Sequence, residues 1–72
     1  MKITIRYFGY NESGLHSCAI YQGDISNNLG EYLEGTKKEL TGKINQAIKK
    51  ISKGKPIRMV SHKHQETIFQ VE

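Results

Sequence analysis

The chain has 72 residues, a formal net charge of +4 and 36% hydrophobic residues. A chain this short buries only about 60% of the surface its unfolded form exposes. That is enough for one sheet with a helix on it but not for a deep enclosed pocket, which argues against most enzymes. The single cysteine excludes an internal disulfide. With no signal-like leader and no apolar run of membrane-spanning length, the sequence predicts a cytoplasmic protein with no membrane partner.

Lys2 to Phe8 alternates with period two, which predicts a strand with Ile3, Ile5 and Tyr7 on one face and Lys2, Thr4, Arg6 and Phe8 on the other. Gly9 to Gly14 has turn composition, Leu15 to Tyr21 reads as the returning strand, and Gln22-Gly23-Asp24 ends it. Residues 25–35 are expected to be an extended, edge-like segment. Gly30 and Gly35 each disfavour a helix there by about 1 kcal/mol relative to alanine. Residues 29–34 alternate, placing Leu29, Glu31 and Leu33 opposite Gly30, Tyr32 and Glu34.

Thr36-Lys37-Lys38-Glu39 fits a capping box and predicts a helix start. Leu40, Ile44, Ala47, Ile48 and Ile51 then form one apolar stripe. Lys38, Gln46, Lys49 and Lys53 fall opposite, with Lys43 and Lys50 on a flank, and Gly54 with Pro56 ends the helix. Ile57 to Val60 and Thr67 to Val71 alternate again, joined by the polar stretch Ser61 to Glu66. The expected fold is α+β: a small, mainly antiparallel sheet in the order β-β-(β)-α-β-β, with one amphipathic helix packed on one face, all in one domain spanning 1–72.

The charge is unevenly spread. Residues 36–65 hold eight lysines and Arg58 against Glu39 alone, whereas residues 1–35 are slightly acidic. A basic centre suits a phosphate- or carboxylate-rich partner, although the same lysines also fit a solvated helix face.

His16 with Cys18, and His62 with His64, are the only groups resembling metal ligands. Same-face strand neighbours lie about 6.6 Å apart, close enough to converge on one ion. Structural zinc sites, however, usually carry more thiolates and cysteine pairs at turn spacing, and neither occurs here. Cys18 reads better as a small buried hydrophobe and the histidines as turn and surface groups. No nucleophile elbow, paired carboxylates or phosphate loop appears. The sequence therefore predicts no catalytic residue, metal or cofactor.

The surface away from the helix is expected to show Lys2, Arg6, Phe8, Arg58, Val60, His62 and Ile68. Such a face could stack bases, as on an RRM-like sheet, or anchor a protein. A single aromatic is a poor stacking platform.

The opening MKITIRYFG and the element order resemble β-grasp sulfur-carrier and ubiquitin-like proteins. Those end in an activated Gly-Gly tail, whereas this chain ends Phe69-Gln70-Val71-Glu72, so carrier chemistry is not expected. In architecture and composition the whole chain also resembles small phage-encoded anti-CRISPR proteins that inhibit type I surveillance complexes: single domains with a short sheet, one lysine-bearing helix and no enzymatic motif. That resemblance implies a non-enzymatic inhibitory module in the host cytoplasm. Its partner would be a host protein or nucleoprotein complex whose nucleic-acid recognition it blocks.

The alternative is a small basic protein binding DNA or RNA directly through its lysine-rich helix or open sheet. A homodimer through the 29–34 edge is a third arrangement. The residues expected to carry partner binding are Arg6, Phe8, Lys38, Lys43, Lys49, Lys50, Lys53 and Arg58.

Overall fold

The computed structural model describes residues 1–23 and 30–72. The alternating opening forms β1 (Lys2–Tyr10), which pairs antiparallel with the returning β2 (His16–Gln22). Between them, the Asn11 side chain accepts from the backbone amides of Ser13 and Leu15, which closes the turn. Of the expected extended stretch, residues 25–29 lie outside the described residues. Glu31–Gly35 form β3, an edge strand paired with β2.

The helix α1 (Lys37–Ser52) begins with the expected capping box. Thr36 Oγ1 accepts from the Glu39 amide, and the Glu39 carboxylate accepts from the Thr36 amide, each at 3.2 Å. It ends as Lys53 enters the left-handed region at φ 56° and Gly54 donates back to the Lys49 carbonyl. The chain then forms β4 (Ile57–Lys63) and β5 (Glu66–Val71), joined by a tight turn at His64 and Gln65.

Among the described residues the result is α+β, with five antiparallel strands in the order β3-β2-β1-β5-β4 and one helix against the sheet. Ile3 and Cys18 are fully buried, and Ile5, Ile20, Leu40, Ala47 and Val71 complete the core with them. The helix packs over β2 and β3 rather than over the middle of the sheet. Leu40 and Ala47 are therefore the helix's buried apolar residues, while Ile44, Ile48 and Ile51 of the same stripe stay half-buried.

Two irregularities redirect side chains. In β1 the register skips Phe8 between Tyr7 and Gly9, and in β4 it skips Val60 between Met59 and Ser61. A bulge inserts one unpaired residue, and a one-residue shift sends every later side chain to the opposite face. Gly9 absorbs the first at φ 94°, a conformation unfavourable for residues with a Cβ. Tyr10 consequently turns to the helix side, opposite His16. His62, expected on the open face, instead pairs with Thr67 on the helix side, and Ser61 takes its place opposite Ile68.

Candidate protein or nucleoprotein interface

On the open face, β1 presents Arg6 and Phe8, β2 presents Ala19 and β3 presents Tyr32. Arg6, Ala19 and Tyr32 lie in one cross-strand row. Ala19 is small and buried, so the larger rings on either side can approach across it. Phe8 and Tyr32 stack with ring centroids 6.4 Å apart and planes inclined by 20°. They remain 50% and 61% exposed, so the pair presents a large apolar surface to solvent. The Tyr32 hydroxyl donates to Glu34 at 2.9 Å, which fixes the ring on its own strand.

Lower on the same face the sheet is closed rather than open. Thr4 is buried between its register partners Tyr21 and Ile68, and its hydroxyl donates to the Gly23 carbonyl. Gly30, at φ 73°, abuts the Tyr21 ring so closely that an added Cβ would lie 2.6 Å from it.

The charges around the aromatic pair are mixed. Arg6 sits opposite Glu66, Lys63 is also opposite Glu66, and Glu34 follows Tyr32. Arg58 lies 3.9 Å from Glu72 in an exposed ion pair that contributes little to stability. Arg6, Phe8 and Arg58 thus share the open face.

The lysines singled out from the sequence do not join them. Lys38, Lys49 and Lys53 are exposed on or just beyond the helix. Lys43 and Lys50 border a cleft between α1 and β3 with Glu31, Leu33, Gln46 and Ala47. The Lys43 ammonium also donates to the Glu34 carbonyl at 2.6 Å, tying the helix to the edge strand. The eight expected binding residues therefore form two surfaces on opposite sides of the sheet.

Tyr32 is the residue that sequence reasoning missed. Its alternation with Leu33 was visible, but its position beside Phe8 follows only from the β3–β2 and β2–β1 registers.

The metal-like residues are dispersed. Cys18 is fully buried, and burial pushes its thiol above the ordinary value. His16 Nδ1 is hydrogen-bonded to the Tyr7 hydroxyl, and His62 Nδ1 to the Thr67 hydroxyl at 2.7 Å. His64 occupies the β4–β5 turn at φ 53°. Among the described residues no group of three or more His, Cys, Asp and Glu could hold a metal ion. No described helix is long and apolar enough to cross a membrane. No protein-family description, curated protein or solved structure matches the chain.

Proposed function

We propose that the chain is a non-enzymatic binding module that docks onto a host protein or nucleoprotein complex through its open sheet face and thereby obstructs nucleic-acid recognition. The exposed Phe8–Tyr32 stack with Arg6 beside it carries this reading. Aromatic and arginine side chains at the centre of a contact concentrate binding energy, and a mixed-charge rim suits a protein surface better than a continuous phosphate track. The resemblance to phage-encoded anti-CRISPR proteins supplies the inhibitory mode: a small rigid domain blocks a channel by occupying it. About 800 Å² per partner is sufficient for a standard interface, a modest part of the 5228 Å² that this chain exposes.

A second reading is direct binding of single-stranded nucleic acid. It is favoured by the same pair of rings, since two exposed aromatic planes offer the stacking platform that one could not. The separate lysine surface on α1 would add phosphate contacts.

Affinity capture from host lysate, with and without nuclease, separates the two readings. A protein partner should persist through nuclease and high salt. It should be lost on combined Phe8→Ala and Tyr32→Ala substitution, yet retained when Lys49 and Lys50 are changed to glutamate. Tight binding of bare oligonucleotides near physiological salt, with no nuclease-resistant partner, would transfer the assignment to nucleic acid.

A further inference from the structure

The helix side of the sheet carries a second surface, separate from the open face. Five strands spaced about 4.8 Å apart span about 19 Å between the outer two. Packed helices lie about 8–10 Å apart, so such a sheet has room for two side by side. The described residues supply one, placed over β2 and β3.

The β1, β5 and β4 side is left as an apolar trough. Its floor is Tyr7 at one end and Phe69 with Met59 at the other, with the hydrogen-bonded Thr67–His62 pair in the row between, and its wall is the Ile44–Ile48 ridge of α1, with spacing i, i+4 along the helix. Tyr7, Phe69, Ile44 and Ile48 are half-buried, and Met59, in register with Phe69, is 55% exposed. At the Tyr7 end the trough deepens into a depression of about 330 Å³ that also reaches His16, Lys37 and Thr41.

The formal charge beside this trough is positive and comes from Lys37. Lys37 and His16 border the depression, and the β4 bulge brings His62 to the same side of the sheet. Among the described residues, no carboxylate falls on this side of β1, β5 or β4. Glu39 lies at the far flank of α1 against Gly35.

We propose that this trough is the docking site for an acidic amphipathic helix of a partner protein. The straight ridge and the apolar side chains at the two ends of the floor match a helix laid beside α1, contacting through side chains at i, i+3, i+4 and i+7. Glutamates flanking that stripe would meet Lys37. A second copy of this chain fits less well, because it would bring the same basic groups together.

The test uses the intact protein and two synthetic helical peptides. Both carry leucines at i, i+3, i+4 and i+7; one has glutamates on its flanks and the other lysines. Titration followed by amide chemical shifts should show the acidic peptide binding, with shifts at Ile44, Ile48, Met59 and Phe69 and not at Phe8 or Tyr32. Met59→Lys, at an exposed position, should leave the melting temperature unchanged and weaken binding about tenfold or more, equivalent to about 1.4 kcal/mol. Lys37→Glu should weaken it and abolish the preference for the acidic peptide. Equal affinity for both peptides, no binding of either, or shifts confined to the open face would overturn the proposal. A self-associated protein made monomeric by Met59→Lys would overturn it in favour of a second copy. None of these outcomes depends on whether Phe8 and Tyr32 bind a partner.

Discussion

The Tyr7 hydroxyl lies 2.6 Å from His16 Nδ1, joining β1 to β2 beside the N-terminal end of α1. This bond occupies one ring nitrogen of a residue that the sequence offered as a metal ligand, and Tyr10 packs against the same imidazole with centroids 5.4 Å apart. Tyr7→Phe keeps the ring and removes only the hydroxyl. It should destabilise the protein by about 0.5–1.5 kcal/mol in urea titrations. No change would show that the bond contributes nothing to the folded state.

The off-centre helix ranks its apolar residues by burial. Leu40→Ala, at a residue only 4% exposed, should cost about 2–5 kcal/mol by cavity formation. Ile48→Ala, at the trough, should cost distinctly less, and Lys49→Ala on the outer surface should stay within about 0.5 kcal/mol. Equal losses at Leu40 and Ile48 in denaturant melts would place the helix centrally over the sheet instead.

The capping box makes a prediction about protonation. Hydrogen bonds from Thr36, first through its side chain and then through its backbone amide, hold the Glu39 carboxyl below its ordinary range, with a smaller contribution from Lys43. A depressed carboxylate pKa stabilises the fold above the unfolded value, about 4.3, and this contribution disappears as pH falls through the folded value. Thr36→Ala should return Glu39 toward the ordinary range in a side-chain NMR titration. It should also cost about 0.5–2 kcal/mol at neutral pH, as lost N-caps do.

Cys18 titrates in the opposite sense. Burial alone raises its thiol, so its contribution to stability is complete below the unfolded value of about 8.5 and is lost as pH rises through the folded one. Above about 8.5, the wild type should lose stability with rising pH more steeply than Cys18→Ala. A thiol reagent should label Cys18 only at the rate of unfolding, because the residue is fully buried. Rapid labelling of the native protein would contradict the placement of β2.

The elements themselves were legible in the sequence because their signals are local. Alternation of β-branched and aromatic residues marked four strands, Thr36 and Glu39 marked the helix start, and the lysines fell on the solvent side of α1. Even β3, readable only as an extended segment, had its alternation in view. What tertiary structure decided was which faces meet. Pairing order placed Tyr32 beside Phe8, from strands whose own sequences contain no reference to each other. The skipped residues Phe8 and Val60 sent Tyr10 and His62 to the side opposite that implied by strict alternation. Packing of α1 over β2 and β3 divided one uniform apolar stripe into a buried part and a half-buried ridge. Periodicity states which residues share a face of one element. Bulges, strand order and helix placement instead arise from hydrogen bonding and packing between segments distant in the chain, which appear only once those segments are in contact.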